Sequence, residues 1–317
     1  MEKKYVLITG ANSGIGRAAA QKFAAEGYHV IMACRNMEKG RAVQSEIISR
    51  SPQAKVDLME LNVSSFDSIR AFCSAYQAGY PRLDILIHNA AYLNHGEKEY
   101  LLSADGIELS FATNTFGPFL MTRLLEQHLV KSQDPRILHA CTTNIKHFFD
   151  PKREIDFDNL RGEYRDSRPY SVYKMYGDSK MALLLLTIKM AEDYERRGVP
   201  IKVNALQINR VKLSDETIQK MSPRWRLMAR AQNWTNPLPS GMAETYFNIC
   251  TSEEWREVTG RLINHKRELV QPASNEKGLA QIGNIFGAKT YPAYATDVRN
   301  LERMWSLGVE LTGNEIE

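Results

Sequence analysis

A tyrosine and a lysine lie four residues apart in the segment Tyr176-Gly177-Asp178-Ser179-Lys180, at the start of a long helical pattern. Residues with this spacing lie on one face of a helix, so the two side chains should point the same way. A tyrosine hydroxyl, with an ordinary pKa of about 10, exchanges protons more readily when a nearby ammonium favours its ionised form. The spacing therefore indicates a proton-transfer pair, although it also occurs by chance in many chains.

A glycine-rich segment, TGANSGIG, joins the first apolar run to a helical pattern. Gly10 allows a tight turn, Gly14 lets the backbone approach a pyrophosphate, and Gly16 permits close packing of the helix, whose N-terminus offers free amides. The spacing is GxxxGxG rather than GxGxxG, and the alternative is a purely structural turn. The residues of this loop that we expect to contact a dinucleotide are Gly10, Asn12, Ser13, Gly14, Ile15 and Gly16.

The choice of dinucleotide depends on the end of the second apolar run, Ala33-Cys34-Arg35-Asn36. An acidic residue here would accept a hydrogen bond from the ribose 2′-hydroxyl of NAD, whereas an arginine pairs with the 2′-phosphate of NADP. The sequence therefore predicts NADP(H), bound at this end by Arg35 and Asn36. The alternative is a solvated arginine at the end of a strand.

Six short apolar runs alternate with helical patterns through the first two hundred residues: YVLIT, HVIMA, KVDLMEL, LDILIH, RILHA and IKVNAL. This alternation indicates βαβ units. The predicted fold is an α/β, doubly wound Rossmann-type sheet that is mainly parallel, with helices on both faces. Such a sheet binds its ligand at the carboxyl ends of the strands, where the strand order reverses.

Two segments interrupt the alternation of the predicted single domain 1–317. The first, about 144–168, is polar and indicates a surface insertion. The second, about 213–240, carries Trp225, Trp234, Met221 and Met228 among several arginines. It is interpreted either as a lid over a substrate pocket or as an extra amphipathic helix packed on the core.

Composition excludes several classes of protein. Hydrophobic residues make up 43% and charged residues 25%, as in ordinary globular proteins, and the net charge is only +4 with basic and acidic residues interspersed, which disfavours nucleic-acid binding. The four cysteines form no CxxC pair, and we expect no metal site. No segment has the length and apolarity of a membrane anchor or signal peptide, so we expect a cytoplasmic protein.

The chain resembles the short-chain dehydrogenase/reductase family, in the branch of retinol dehydrogenases and light-dependent protochlorophyllide reductase. The matching segments follow the order of the family along nearly the whole chain. They are TGANSGIG, MACRNMEKG, HNAA, NTFGPFLMTRLL, RILHACTT, DFDNL, YGDSKMALLLLT and LERMWSLGVELTG.

The resemblance implies a four-residue mechanism. Tyr176 is expected to exchange a proton with the substrate oxygen, and Lys180 to hold the nicotinamide ribose and lower the tyrosine pKa. Asn114 is expected to keep a helix kinked beside a proton relay. Thr142, where the family usually has serine, is expected to donate to the substrate carbonyl, with Thr143 as the alternative. The further cofactor contacts that the resemblance implies are Asn62, Val63, Asn89, Ala90, Asn209 and Val211.

Three positions depart from the pattern of the family. The β-branch of Thr142 stiffens its side chain and can aim the hydroxyl differently from that of a serine. Asn62 replaces an aspartate that faces adenine, and we expect its amide oxygen to accept the same hydrogen bond. The segment 208–213 lacks a proline, a glycine and a threonine that contact the nicotinamide, and Asn209 is expected to replace the glycine partly through left-handed backbone angles.

These observations favour an NADP(H)-dependent oxidoreductase that interconverts a carbonyl and an alcohol. The expected substrate is a small-molecule carbonyl or alcohol, which can be bulky. The expected oligomeric state is a monomer or a homodimer. One alternative is a non-catalytic dinucleotide-binding sensor or scaffold of the same fold. Another is a membrane-surface protein that uses Arg224, Arg226 and Arg230 with Trp225, which requires an exposed apolar face.

Overall fold

A central β-sheet organises the chain in a computed structural model that describes residues 3–219, 221–273 and 289–313. Within these residues the sheet has nine strands in the order β3-β2-β1-β4-β5-β6-β7-β8-β9. Neighbouring strands pair in parallel, except that β8 runs antiparallel to β7. The strands are β1 (Tyr5–Thr9), β2 (His29–Cys34), β3 (Lys55–Glu60), β4 (Ile85–His88), β5 (Arg136–Thr142), β6 (Lys202–Ile208), β7 (Leu262–Asn264), β8 (Leu269–Pro272) and β9 (Thr290–Tyr291).

The predicted doubly wound sheet is confirmed. Strands β1 to β3 are added in one direction and β4 to β6 in the other, so the order reverses between β1 and β4. The carboxyl ends of these two central strands therefore border the crevice in which this fold binds ligands. All six predicted strands are present, whereas β7, β8 and β9 were not predicted.

Helices cover both faces of the sheet. They are α1 (Gly14–Ala25), α2 (Met37–Arg50), α3 (Phe66–Gly79), α4 (Leu109–Phe111), α5 (Gly117–Leu129), α6 (Val172–Arg196), α7 (Asp215–Gln219), α8 (Pro223–Asn233), α9 (Pro239–Thr251) and α10 (Val298–Thr312). A π-helical segment, Ala112–Phe116, joins α4 to α5. No helix in the described part of the chain has the length and apolarity needed to cross a membrane.

Two apolar cores lie on opposite faces of the sheet. Leu7 and Ile31 face the core formed with α3, α5, α6 and α10, whereas their strand neighbours Val6, Ile8 and Val30 face the core formed with α1, α2 and α9. Because strands buried on both faces need apolar residues at every position, the central strands read as continuous apolar runs. This is why they were recognisable in the sequence.

The segment 144–168 is only partly the surface insertion that its polarity predicted. It forms short 3-10 turns, Thr143–Phe149 and Phe157–Asn159, and buries Phe148 and Ile155 in the core shared with α6. Arg153 donates to Asp178 of α6 at 2.5 Å and lies over the ring of Phe148. The prediction was therefore wrong for these residues, because apolar side chains spaced among charged ones give no periodic signal.

Candidate active site

The glycine loop after β1 has an open approach to the N-terminus of α1. Gly10 and Gly14 adopt positive φ angles of 66° and 52°. A side chain at Gly14 would meet no atom within 4 Å, whereas one at Gly16 would come within 2.4 Å of the Gly10 carbonyl oxygen. Gly16 thus allows the helix to pack against the turn, and Gly14 leaves space over exposed amides. Asn12, Ser13 and Ile15 are exposed or half-buried around this space.

The end of β4 holds the glycine loop in place. The Thr9 hydroxyl accepts hydrogen bonds from the amides of Asn89 and Ala90, each at 3.0 Å. The Asn89 side chain donates to the Thr9 carbonyl at 3.0 Å and accepts from the Tyr246 hydroxyl at 3.2 Å. Asn89 and Ala90 therefore lie beside the loop, and their polar groups are used to position it. Their contact with the cofactor stays a prediction.

Arg35 lies exposed at the end of β2. None of the described carboxylates forms an ion pair with it, so its guanidinium is available to an anion. The Asn36 side chain caps α2 by accepting a hydrogen bond from the Lys39 amide at 2.9 Å. Asn36 therefore has a structural role at the place where a cofactor contact was predicted.

Asn62 and Val63 follow β3 at the same edge of the sheet. The Asn62 amide oxygen already accepts from the Ser64 hydroxyl at 2.9 Å and the Ser64 amide at 3.3 Å. This oxygen is therefore already used within the loop, and its hydrogen bond with adenine stays a prediction. Val63 is buried against Gly117, where a side chain would come within 2.2 Å of the Val63 carbonyl oxygen.

Asn114 lies in the π-helical segment, so the predicted kinked helix is present at this position. Its side chain is buried, accepts from the Tyr92 amide at 2.7 Å and donates to the Tyr92 carbonyl at 3.0 Å. It also donates to the Ser179 hydroxyl at 3.0 Å, which in turn donates to the Tyr176 carbonyl at 2.9 Å. Asn114 thereby couples the loop after β4 to the helix that carries Tyr176.

Tyr176 lies in the first turns of α6, beside the carboxyl end of β5. Burial raises its pKa to about 12, and a side-chain hydrogen bond with Thr142 acts in the opposite direction. Thr142 is also buried and accepts from the Asn144 amide at 3.2 Å. Thr142, rather than Thr143, is therefore the hydroxyl that lies against the tyrosine.

Lys180 lies one turn after Tyr176 and is buried. Its ammonium donates to the Ala140 carbonyl at 2.7 Å, and burial lowers its pKa to about 8. Burial is the largest influence on the Tyr176 pKa in this arrangement. That Lys180 lowers the tyrosine pKa stays a prediction.

The segment after β6 differs from its prediction. Arg267 is the only non-glycine residue with a positive φ in the described ranges, so Asn209 does not adopt left-handed angles. Its side chain instead donates to the His265 ring nitrogen Nδ1 at 2.9 Å. Val211 packs at the edge of the core that contains α1. The predicted replacement of the glycine was wrong, because a side-chain contact with the loop after β7 holds Asn209.

An aromatic cluster lies beside this centre and connects it to the segment 213–240. The rings of His95, Tyr173 and Trp225 lie 5.5 to 5.8 Å apart, and the His95 Nδ1 atom is 3.0 Å from the Tyr173 hydroxyl. Tyr173 precedes Tyr176 by about one turn of α6. A cavity of about 90 Å³ lies between this cluster and the inner face of α8. Neither His95 nor Tyr173 was singled out in the sequence.

The residues present fit a dinucleotide. Gly14 leaves an open cradle at the N-terminus of α1, whose first turn carries no acidic residue, and Arg35 offers a charge at the adenosine end. The polar residues that sequence reasoning missed are Thr9, Tyr92, Ser179 and Asp178. Two of them, Ser179 and Asp178, stand inside the motif that was recognised for Tyr176 and Lys180 alone.

Comparisons with known proteins agree with this geometry. The profile of the family described as short chain dehydrogenase matches residues 4–147. Mouse retinol dehydrogenase 12 is 30% identical over 99% of this chain and 88% of its own length. Human retinol dehydrogenase 14 is 31% identical over 89% of this chain and 84% of its own length. A chloroplastic short-chain dehydrogenase of Brassica napus, TIC 32 A, is 32% identical over 80% of this chain and 78% of its own length.

Solved structures share the fold. A protein from Mycobacterium paratuberculosis superposes with a TM-score of 0.66 at 24% identity, covering 100% of this chain and 96% of its own. A Shigella flexneri protein of the short-chain dehydrogenase type, solved in complex with NADP, superposes with a TM-score of 0.64 at 21% identity. That alignment covers 84% of this chain and 98% of the Shigella chain.

Proposed function

Because the chain belongs to the short-chain dehydrogenase/reductase family, in its retinol dehydrogenase-like branch, we propose that it is an NADP(H)-dependent oxidoreductase that interconverts a carbonyl and an alcohol. The observation that carries this proposal is the convergence of Tyr176, Thr142 and Lys180 at the carboxyl end of β5, across the crevice from the glycine loop. NADPH, when bound by these residues, would supply a hydride to the substrate carbon. Solved relatives of the same fold that contain NADP or NADPH support this choice of cofactor.

Tyr176 is the proposed proton donor in reduction and the proton acceptor in oxidation. Its hydroxyl stays protonated at neutral pH, because burial raises its pKa to about 12. As the hydride reaches the carbon, the substrate oxygen gains charge and takes the tyrosine proton. The Thr142 hydroxyl, adjacent to Tyr176, donates to the same oxygen and stabilises the developing charge.

Lys180 and Asn114 are the proposed supports of this proton transfer. The ammonium of Lys180 stabilises the tyrosinate that forms in reduction and binds the ribose hydroxyls of the nicotinamide half. Asn114 positions the helix through Ser179 and holds the backbone at Tyr92. The cofactor contacts proposed at the adenosine end are Arg35 and the Asn62 region, and at the pyrophosphate the amides from Asn12 to Gly16.

A non-catalytic dinucleotide sensor is the second candidate. One observation favours it: the segment 208–213 lacks the left-handed backbone expected at Asn209, whose side chain is held by His265. In that case the protein would bind NADPH and turn over no carbonyl compound. A cytoplasmic location, and a monomeric or homodimeric state, remain predictions.

The replacement Tyr176→Phe tests the chemistry. Phenylalanine keeps the packing of the ring and removes the transferable proton, so we expect turnover to fall roughly 100-fold or more with nearly unchanged NADPH affinity. Tyr194→Phe is the matched control, because Tyr194 lies on the same helix and its buried hydroxyl has no hydrogen-bond partner among the described residues. Its activity should equal that of the wild type.

The assay follows NADPH absorbance across a panel of aldehydes and ketones, beside a direct titration of NADPH binding. Turnover by Tyr176→Phe at the wild-type rate contradicts the assignment of the proton donor. Tight NADPH binding by a wild-type protein that turns over none of the panel favours the sensor instead.

A further inference from the structure

Large apolar side chains are exposed along the second half of the segment 213–240. Trp234 is 93% exposed, Leu227 74%, Leu238 60% and Met228 48%. Ala231 is exposed between them. Single exposed apolar residues are normal on protein surfaces, but several within twelve residues of chain, including a tryptophan that is 93% exposed, favour an interaction site. We call these five residues the outer patch.

Most of the outer patch lies along the side of α8 that points away from the protein, whereas Met228 also borders the cavity and Leu238 follows the helix. Leu227, Ala231 and Trp234 follow one another at intervals of four and three residues, so they form one stripe along the helix. The opposite stripe, with Trp225 and Ala229, lines the cavity beside His95. Helix α8 is therefore apolar on both sides, whereas a helix that only covers a core has a polar outer face.

Hydrogen bonds within the segment present this face in a fixed geometry. The Asn233 side chain accepts from the Leu213 amide at 2.7 Å and donates to the Leu213 carbonyl at 2.8 Å. The Arg226 guanidinium donates to the carbonyls of Gln219 and Met221 at 2.8 and 3.2 Å. Both ends of α8 are thus tied to the segment before it, and Arg226 is used internally.

Positive charge is concentrated around the same segment. Residues 210–240 contain six basic and two acidic residues, an excess equal to the net charge of the whole chain, +4. Helix α8 itself carries three arginines and no acid. Arg230 is exposed next to the outer patch, and the acidic Glu216 is paired with Lys39. The remainder of the chain carries no net charge, so the excess of positive charge belongs to this segment and favours an anionic partner there.

We propose that the outer patch docks this protein on the surface of an anionic lipid bilayer. An exposed tryptophan, aliphatic side chains beside it and a neighbouring basic residue, here Arg230, are the combination that binds the interface between lipid headgroups and acyl chains. Trp225, which the sequence suggested for this role, instead faces inward. Docking does not depend on the proposed enzymatic activity. If both hold, an apolar substrate reaches Tyr176 from the bilayer past the inner face of α8.

Sedimentation of the purified full chain with lipid vesicles tests the proposal, without cofactor or substrate. We expect binding to vesicles of phosphatidylcholine mixed with phosphatidylglycerol, and much weaker binding to phosphatidylcholine alone. The double replacement Leu227→Ser and Trp234→Ser should weaken binding about tenfold or more, because both side chains leave water on docking. Arg230→Gln should lower the affinity for the anionic vesicles about fivefold and leave the binding to phosphatidylcholine alone unchanged.

Val298→Ser is the control, because Val298 is 66% exposed on α10, outside the outer patch, and should leave vesicle binding unchanged. Circular dichroism and NADPH affinity verify that each variant is folded. The proposal fails if the wild-type protein stays in solution with anionic vesicles, or if the double variant still pellets with them. It also fails if analytical ultracentrifugation shows a dimer that the double variant abolishes while no vesicles are bound, since the patch is then an interface between two copies of the chain.

Discussion

Among the residues proposed to take part in proton transfer, Lys180 has the pKa that lies nearest to neutral pH. It is buried, pairs with no carboxylate among the described residues and donates to the Ala140 carbonyl, so its pKa falls to about 8. The Tyr176 pKa of about 12 lies well above. Between these two values, the lysine is neutral while the tyrosine is still protonated.

We therefore expect carbonyl reduction to slow as the pH rises through about 8, by roughly tenfold per unit, because a neutral Lys180 no longer stabilises the forming tyrosinate. The measurement is kcat/KM for reduction as a function of pH. In Lys180→Arg the charge persists over this range, so its activity, although lower, should lose the decline. A wild-type profile that stays level to about pH 10 contradicts this role.

Arg35 is the residue on which the choice of dinucleotide depends. It lies exposed at the end of β2, and a charge-assisted hydrogen bond to the 2′-phosphate contributes about 1.5 to 3 kcal/mol. NADPH should therefore bind roughly tenfold to 100-fold more tightly than NADH, and Arg35→Asp should reverse the order. Titrations of both cofactors measure this, with Arg41→Asp on α2 as the charge control. Equal dissociation constants in the wild type would exclude this role for Arg35.

Residues could be predicted from the sequence where a motif requires a particular backbone conformation or spacing. Gly10, Gly14 and Gly16 have the conformations and the close contacts that their motif predicted. Partners could not be predicted where a side chain has several acceptors within reach. The Asn62 amide oxygen accepts a hydrogen bond from Ser64, two residues away. The Asn209 side-chain amide donates to His265, which is far away in the sequence. The sequence does not show which of several possible partners forms the hydrogen bond.

At the scale of elements, length and burial decided what could be predicted. Strands β1 to β6 contain four to seven residues, and all of them except the edge strand β3 are mostly buried. Strands β7 and β9 contain three and two residues, which is too short for a periodic signal. Strand β8 is as long as β4, but only Val270 of its four residues is buried. Strand β7 pairs with β6, β8 with β7, and β9 with β8. These pairings join segments that are distant from β6 in the sequence, so a local pattern does not predict them.

The helix that carries Tyr176 is fixed by elements that the sequence left unconnected. Thr115 of the π-helical segment donates to the Ser179 carbonyl at 2.7 Å, and Arg153 of the segment 144–168 donates to the buried Asp178 at 2.5 Å. Burial raises the Asp178 pKa to about 6, against the opposing effect of Lys174 and Arg153. The segment 144–168 thus stabilises the position of α6 at the candidate active site, through contacts with residues that lie between Tyr176 and Lys180.

For the whole molecule, the late parts of the chain pack against the early ones. Helix α9 lies on α1, where the rings of Phe23 and Phe247 are 5.1 Å apart. Helix α10 lies on α5, where the rings of Phe119 and Trp305 are 5.4 Å apart. Strands β1 and β4, from the first ninety residues, occupy the middle of the sheet. We propose on this basis that the chain unfolds as one cooperative unit.

This cooperativity gives the last prediction. All four tryptophans lie after residue 224, whereas the proposed dinucleotide contacts lie mainly before residue 91, so fluorescence reports on the part of the chain that mostly does not touch the cofactor. NADPH at about 100 times its dissociation constant adds about 2.7 kcal/mol to the free energy of unfolding of the folded unit that binds it. In thermal unfolding, the transition measured by fluorescence should therefore coincide with the one measured by far-UV circular dichroism. NADPH should raise the midpoint temperature of both by the same few degrees. The prediction is contradicted if two transitions appear and NADPH raises the midpoint temperature only of the one that tryptophan fluorescence does not detect. The chain would then contain separate folding units.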